Sequence, residues 1–149
     1  MNELPPMDPV AERLDQNVAA RVWRGMRGLV LDRYERRKEV CDTLGMSFIR
    51  VKALRLVAAE PLTLRRLAER LTTDAPYTTI VVADLERRGL VERAPHPDDR
   101  RAKIVSVTPE GVRAADVAER ILGAPPPALL ALDPADLDAL DRVIARLLA

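Results

Sequence analysis

The feature that most constrains the fold of this chain is a change of period at Gly89. Before this glycine, apolar side chains recur at helical spacing as far as Leu85. After it, residues 90–93 and 104–107 alternate between apolar and polar, on either side of the charged, proline-limited tip 95–101. Alternation of this kind predicts strands, and glycine is the residue expected at the C-terminus of a helix. The sequence therefore predicts a helix that ends directly before a β-hairpin with a long loop, over about 90–107.

Two short helices joined by a tight turn are predicted before this hairpin. Thr63 is a good N-cap for the first helix, and Asp74 can cap the second, over about 74–88, after the break at Thr72-Thr73. The apolar positions of the first helix are Leu64, Leu67, Ala68 and Leu71, and the second helix carries Thr78, Val81, Val82 and Leu85 at helical spacing. Two short helices followed by a two-stranded hairpin form the winged helix-turn-helix arrangement, placed here at about 47–108.

A long amphipathic helix is predicted before this lobe. Its four-residue repeat runs through Val10, Leu14, Val18, Val22, Met26 and Leu29 or Val30. We expect it to continue in polar form to about residue 38 and to break around 41–45. A further helix then starts at about Ser47, a plausible N-cap, with Phe48, Val51, Leu54 and Val57 on one face. Because so long a helix is difficult to bury against so small a domain, we expect 10–38 to pack against a second copy of the chain.

The C-terminal region is predicted to hold two more helices. Thr108-Pro109 is an N-cap followed by proline at the first helical position. The inward positions expected on this helix are Val112, Ala115 and Leu122. After the linker 125–127, the last amphipathic helix begins at Asp133-Pro134 and carries Leu137, Leu140, Ile144 and Leu147 or Leu148. The predicted fold is a single domain, 1–149, mainly α with a small β-hairpin (α+β), in which 10–38 and 110–149 are dimerisation helices.

Composition excludes several classes of protein. A length of 149 residues corresponds to one domain. The 24 Lys and Arg residues against 23 Asp and Glu give a net charge of only +1, which does not by itself indicate a nucleic-acid partner. The single Cys41 excludes an internal disulfide, and together with the single His96 it leaves almost no soft ligands for zinc, so we expect no cofactor. The sequence also lacks paired catalytic carboxylates, a Ser-His-Asp set and a phosphate loop, so we expect no enzyme. The start of the chain lacks the features of a signal peptide, and no apolar run could span a bilayer, so we expect a cytosolic protein without a membrane partner.

The physics of this arrangement suits double-stranded DNA. We expect the second helix of the pair to place its N-terminal turn in a major groove, where backbone N–H groups and the positive end of the helix dipole meet phosphate oxygens. The charged tip of the hairpin then reaches the neighbouring minor groove. Arginine gains there from the concentrated negative potential, which gives Arg100 or Arg101 a role that lysine fills less well.

Three runs of sequence resemble the MarR family of bacterial transcription regulators, and the resemblance covers essentially the whole chain. They are Leu67-Ala-Glu-Arg-Leu71, Asp84-Leu-Glu-Arg-Arg-Gly-Leu-Val-Glu-Arg93 and Asp98-Asp-Arg-Arg-Ala-Lys-Ile-Val-Ser-Val-Thr-Pro-Glu-Gly111. The last is similar to the family's wing signature, with Val107-Thr108 where the family usually has Leu-Thr. Matched by position, the resemblance implies that Arg101 contacts the minor groove and that Asp99 orients it locally.

The second short helix departs from the family pattern. Ile80 stands where the family often carries an arginine, which puts direct base readout in doubt. Tyr77, Thr79 and Thr78 remain as candidates for contact with phosphates or thymine methyl groups, although Tyr77 could instead pack its ring on the preceding helix. Arg65 and Arg66, in the first turn of the preceding helix, are expected to contact phosphates, the alternative being solvated charges at a helix start.

Other residues have a functional and a structural interpretation. Trp23, Met26 and Met46 could line a small-molecule pocket, as the resemblance implies for many relatives, but core packing is favoured. Cys41 invites an oxidant-sensor interpretation; its acidic neighbours disfavour a thiolate, so a structural or exposed cysteine is preferred. His96, between two prolines, is interpreted as a solvated loop residue.

We therefore expect a homodimeric transcription regulator, a repressor, that binds a near-palindromic DNA operator and is released by a small-molecule inducer. The rival hypothesis is a winged helix that binds protein without specific DNA binding. Ile80 in place of a polar reader and the near-neutral charge motivate that rival.

Overall fold

The computed structural model describes residues 9–149, and in the first helix it describes the side chains of Arg13 and of Gln16 onward. The chain divides into two compact units, one ending at Glu35 and the other comprising Arg36–Ala149. The predicted apolar positions Val10 and Leu14 lie outside the described side chains.

The first unit is helical but shorter than predicted. Helix α1 spans Pro9–Arg27 and passes into a π-helical segment, Gly28–Arg33. Tyr34 has φ −120° and ψ 36°, outside the helical region, and its N–H donates to the carbonyl of Leu29 at 2.9 Å. This wide five-residue hydrogen bond closes the helix. The predicted continuation of one helix to residue 38 is therefore wrong.

The second unit holds the remaining helices and the strands of the described chain. The helices are α2 Arg37–Leu44, α3 Phe48–Ala59, α4 Leu64–Leu71, α5 Ala75–Arg87, α6 Pro109–Gly123, α7 Pro127–Leu130 and α8 Pro134–Leu148. The strands are β1 Leu62–Thr63, β2 Val91–Pro95 and β3 Lys103–Val107.

The boundary between α2 and α3 differs from the prediction. Cys41 lies within α2, and the helix ends only at Gly45, whose φ of 64° is the left-handed conformation that glycine adopts without steric cost. Ser47 occupies the N-cap position of α3, but its hydroxyl makes no bond to a helix amide. It accepts instead from the Nη1 of Arg50 at 2.8 Å. The predicted break at 41–45 thus shrinks to the turn at Gly45.

The sheet has three antiparallel strands in the order β1-β3-β2. The predicted hairpin pairs β2 with β3 in a register that places Val91 opposite Val107. Strand β1, which was not predicted, pairs Leu62 with Val105 on the other side of β3. Two residues are too short to show an alternating pattern, so this strand leaves no signal in the sequence.

Helix α3 is the centre of the core in the second unit, in contact with α2, α4, α5, α6 and β3. The largest fully buried side chains are Val40, Val51, Leu54, Val57, Leu67, Thr78, Val81, Val82, Leu85, Val91 and Val105. The predicted inward face of α6 is wrong at Val112, which is 43% exposed. The buried stripe runs instead through Gly111, Ala115 and Ala118, which are four and three residues apart and so share one side of the helix.

Helix α8 is amphipathic, as predicted, but its apolar residues are poorly covered within one chain. Leu140 and Val143 are exposed, Leu147 is 65% exposed, and Ile144 is half-buried. Side chains of this size usually lie against another surface when they recur along one helix. No helix in the described part of the chain has the length and apolar character needed to cross a membrane.

Candidate nucleic-acid interface

Local hydrogen bonds set the turn between α4 and α5. Thr63 Oγ1 accepts from the N–H of Arg66 at 3.1 Å, which caps α4 as predicted. Thr72 then takes the left-handed conformation, with φ 55°, and the N–H of Thr73 donates to the carbonyl of Ala68 at 3.1 Å. The carbonyl of Ala68 has no amide partner within α4, and this hydrogen bond supplies one. The chain reverses direction within a few residues.

The N-terminus of α5 does not present a phosphate site, contrary to the sequence-based expectation. Asp74 Oδ1 accepts from the N–H of Tyr77 at 2.7 Å, and Pro76 has no N–H to offer. The Asp74 carboxylate therefore occupies the end of the helix where the dipole favours an anion. Asp74 is a cap, as the sequence indicates, and its negative charge opposes a phosphate at the same place.

The exposed face of α5 differs from the predicted one at a single residue. Thr78 is fully buried, and its hydroxyl donates to the carbonyl of Asp74 at 2.8 Å, so its prediction as an exposed contact is wrong. Its neighbours remain accessible: Tyr77 is 39% and Ile80 57% exposed, and Thr79 is exposed. Thr78 lies four residues before Val82 and three before Val81, and this spacing puts it on the buried side.

Arg65 and Arg66 extend from the first turn of α4 and share one partner. Their side chains are exposed, and both pair with Glu69, at 3.6 Å for Arg65 and 3.1 Å for Arg66. Exposed pairs of this kind contribute little to stability and exchange readily for other partners. Contact between these arginines and phosphate would therefore compete with Glu69.

The β2-β3 hairpin is the wing, and side-chain acceptors hold the backbone at its tip. Asp99 Oδ1 accepts from the N–H of Arg101 at 3.0 Å, and His96 Nδ1 accepts from the N–H of Asp98 at 3.0 Å. The N–H of His96 donates to the carbonyl of Ala102 at 3.0 Å. Asp99 thus holds the backbone at Arg101 rather than its guanidinium.

Arg100 and Arg101 leave their guanidinium groups available at the wing tip. Both side chains are exposed, and in the part of the chain that the structure describes neither guanidinium has an acidic partner. This distinguishes them from most arginines of the lobe, which are paired with carboxylates. A guanidinium without an acidic partner on a hydrogen-bonded tip is suited to bind phosphate or to enter a narrow minor groove.

A cleft of about 490 Å³ lies between the start of α4 and the wing. Its lining residues are Thr63, Leu64, Arg65, His96, Asp99, Arg101, Ala102 and Lys103. The structure therefore brings Arg65 and Arg101, predicted separately as DNA contacts, to one concave surface. His96 is half-buried there rather than a freely solvated loop residue.

An ion-pair cluster missed by the sequence analysis fixes α5 to the preceding helices. Asp84 is nearly buried, and its Oδ2 accepts from Nε of Arg88 and of Arg50, each at 2.8 Å, while Arg87 contacts Oδ1. The hydrogen bond from Arg88, with further bonds from Arg50 and Arg87, lowers the pKa of Asp84 from 3.8 to about 2. Arg88 also donates to the carbonyl of Gly45 at 3.0 Å. The available sequence signal was an acid on the buried face of α5, with arginines three and four residues later.

A second ion pair joins α5 to the wing. Glu86 accepts from the backbone N–H of Arg93 and from its Nη2, both at 3.0 Å. These hydrogen bonds from Arg93 lower the pKa of the Glu86 carboxyl. The pair spans the turn at Gly89, where φ is 76°. Helix α5 and strand β2 are therefore held at a fixed angle.

Thr108 ties the other end of the wing to α6. Its N–H donates to the carbonyl of Leu90 at 3.0 Å, and its hydroxyl donates to the carbonyl of Gly89 at 2.6 Å. The same hydroxyl accepts from the N–H of Gly111 at 3.0 Å, which makes Thr108 the N-cap that the sequence predicts. A Cβ on Gly111 would lie 2.0 Å from the Leu90 oxygen, so only glycine fits this junction.

The residues predicted for a ligand pocket are placed in different units. Trp23, 62% exposed, and Met26, half-buried, belong to the first unit. Met46 is buried in the core of the second unit, as the core-packing interpretation indicates. The Cys41 thiol, also in the second unit, is half-buried. Among the described residues, no three His, Cys, Asp or Glu side chains are grouped so that they could hold a metal ion.

Comparison of the sequence with protein families gives a match over this lobe. Residues 44–102 match the model of the MarR family. The organic hydroperoxide resistance transcriptional regulator of Bacillus subtilis is 30% identical over 91 residues, which are 58% of this chain and 62% of that protein. The chain thus spans less than two thirds of this curated relative.

Solved structures share the fold over most of the chain. Apo MarR of E. coli is 21% identical with a TM-score of 0.67, covering 99% of this chain and 100% of that one. MepR of S. aureus, solved as a complex with DNA, is 16% identical with a TM-score of 0.55, covering 88% and 93%. Residues 44–102, which include the helix-turn-helix and the first strand of the wing, are thus similar to the MarR family, and the fold of apo MarR extends over most of the chain.

Proposed function

We propose that this chain is a homodimeric, sequence-specific DNA-binding transcriptional repressor. The observation that carries the proposal is the pairing of an ordered wing tip, whose Arg100 and Arg101 have no acidic partner among the described residues, with a cleft that also holds Arg65. Three cationic side chains, Arg65, Arg101 and Lys103, line that cleft. Phosphate oxygens are the partners that such a surface fits, because most contacts between protein and DNA are made to the backbone.

The elements of the lobe have distinct parts in this interaction. Helix α5 enters the major groove, and the wing places Arg101 in the adjacent minor groove, where the Asp99 carboxylate fixes the backbone that carries it. Arg65 and Arg66 exchange Glu69 for phosphate. The DNA complex of MepR, which has the same fold, supports this arrangement.

Exposed apolar side chains support assembly of two chains. Val22 and Trp23 in α1, and Leu140 and Leu147 in α8, are exposed within one chain, and burial of such groups between copies is favourable. A two-fold dimer presents two wings and two copies of α5, which meet half-sites about 34–36 Å apart on one face of a near-palindromic duplex.

Repression follows from occupancy of a promoter in the cytoplasm, where the chromosome lies. A small molecule that prefers a dimer with a different spacing between lobes would release the DNA by a population shift. As the resemblance implies, Trp23 and Met26 are candidates to contact such an inducer. No residue of the lobe is assigned a catalytic role.

The proposal is tested by selection from a pool of duplexes with a randomised 30-base-pair centre, followed by fluorescence anisotropy. We expect enrichment of a near-palindromic sequence that binds at least about 1,000-fold more tightly than a scrambled duplex, with log affinity falling linearly with log salt. Failure to enrich any sequence, with equal weak binding to all duplexes, would overturn the proposal and favour the protein-binding alternative.

A further inference from the structure

We infer that α5 reads thymine through its C5-methyl group, and that Ile80 is the residue that determines this specificity. The inference rests on the proposed function and adds what the DNA-binding helix recognises. Three observations support it: α5 exposes apolar side chains, several of its polar side chains are already hydrogen-bonded, and the elements before and after it carry cations.

The exposed face of α5 is mainly apolar in its N-terminal part. The accessible residues there are Ala75, Pro76, Tyr77, Thr79, Ile80 and the half-buried Ala83, while the accessible charged residues Glu86 and Arg87 lie at the C-terminal end of the helix. Ile80 is the most exposed of the large apolar side chains on this helix, at 57%. None of the accessible side chains from Ala75 to Ala83 carries the paired donors or acceptors with which arginine reads guanine or glutamine reads adenine.

Three of the polar side chains on this helix already have partners. The Thr79 hydroxyl donates to the carbonyl of Ala75 at 3.0 Å, which leaves its methyl group as the outward feature. Arg87, the first cation along the helix, pairs with Asp84. Glu86 is held by Arg93. Hydrogen-bond readout by Thr79, Glu86 or Arg87 would therefore require exchange of these contacts, whereas apolar contact by Ile80 requires none.

The charges around the helix indicate that its partner is DNA. The Asp74 carboxylate at its N-terminus disfavours a phosphate there, so α5 itself adds little to backbone affinity. Cations stand on the flanking elements instead: Arg65 and Arg66 on α4, and Arg101 on the wing. An apolar face on a helix whose neighbouring elements carry cations matches a major groove, whose edges are phosphates and whose one apolar group is the thymine methyl.

The experiment uses the full-length chain and the tightest duplex from the selection described above. Each thymine is replaced in turn by deoxyuridine, which removes only the C5-methyl group, symmetrically in both half-sites. Burial of one methyl group corresponds to about fourfold in affinity, so we expect a loss of about 15-fold when the contacted pair is replaced. Ile80→Ala should reduce that loss to less than about twofold, whereas Ile80→Val, which keeps a branched methyl, should retain most of it. Val112→Ala, which removes an exposed apolar side chain from α6, is the matched control and should leave the loss unchanged.

The outcomes separate the inference from the proposed function. If a duplex is selected but deoxyuridine is tolerated at every position, methyl readout is overturned while specific DNA binding stands. If the deoxyuridine loss persists in full in Ile80→Ala, the assignment to Ile80 is overturned. If no duplex is enriched, the proposed function fails and the inference fails with it.

Discussion

Substitution of Gly111 by alanine tests the junction that holds the wing to the core. Gly111 is the third residue of α6, and its N–H is bonded to the capping hydroxyl of Thr108. An added Cβ would lie 2.0 Å from the carbonyl oxygen of Leu90 and 2.7 Å from Cγ2 of Val107. Both separations are far below van der Waals contact. The structure must therefore shift to accept a single methyl group.

The size of the effect follows from what would have to move. Overpacking a well-packed site costs about 1–3 kcal/mol, and more where the obstacle cannot yield. The obstacle here is a backbone carbonyl that also accepts from the N–H of Thr108 at 3.0 Å, so retreat would break a hydrogen bond. We expect Gly111→Ala to lower the free energy of unfolding by about 3 kcal/mol, at the upper end of that range.

Urea unfolding followed by circular dichroism measures this change. Gly123→Ala is the matched control, since Gly123 ends the same helix and an added Cβ there meets nothing within 4 Å. Alanine favours the helix over glycine by up to about 1 kcal/mol, so the control should be unchanged or slightly more stable. Equal stability of Gly111→Ala and Gly123→Ala would refute the packing argument for this junction.

Three further predictions follow from particular contacts. Glu69→Gln removes the shared partner of Arg65 and Arg66, so DNA affinity in anisotropy should rise by about two- to fivefold at low salt, and a fall would contradict the assigned competition. The pKa of Asp84 is lowered from 3.8 to about 2, so the wild type should lose stability as the pH falls from about 4 towards 2. Urea midpoints should show a flatter pH dependence in Asp84→Asn, and an unchanged one would count against the ion-pair cluster. Leu147→Glu places a charge on the exposed apolar face of α8, and sedimentation should show a dimer converted to monomer, whereas a dimer that persists unaltered would exclude this face from the interface.

The parts of the fold that were predictable are those fixed by neighbouring residues. The caps at Thr63, Asp74 and Thr108 are confirmed because each depends on a hydrogen bond from the amide three residues on. The period change at Gly89 is confirmed for a similar reason, since glycine alone supplies the positive φ of the turn without steric cost. These caps and this turn depend on residues that are close together in the chain, so the sequence alone is enough to predict them.

The parts that were missed depend on distant partners. Strand β1 exists because Leu62 and Thr63 pair with β3, about forty residues later in the chain. The role of Asp84 depends on Arg50, which α3 supplies. The end of the first helix at Tyr34 comes from a π-helical hydrogen bond that has no simple sequence signature.

The candidate site likewise contains residues that the sequence predicted and contacts that only the structure shows. The wing residues Asp99 and Arg101 were predicted as site residues on the resemblance, yet the hydrogen bond from the Arg101 amide to Asp99 is visible only in the structure. Thr78 was proposed as a contact although its spacing with Val81 and Val82 already placed it on the buried face. The observed burial of Thr78 agrees with this spacing and excludes the contact.

The salt dependence of DNA binding by Arg101→Ala tests the central claim most directly. Anisotropy with the selected duplex would be compared for the wild type, Arg101→Ala and Arg120→Ala, in which one positive charge is lost from α6, about 16 Å along the helix from the wing junction. We expect Arg101→Ala to weaken binding and to reduce the slope of log affinity against log salt by about 1.8 for a dimer, whereas Arg120→Ala leaves the slope unchanged. Equal affinities and equal slopes for Arg101→Ala and the wild type would contradict the claim that this chain binds DNA through its wing.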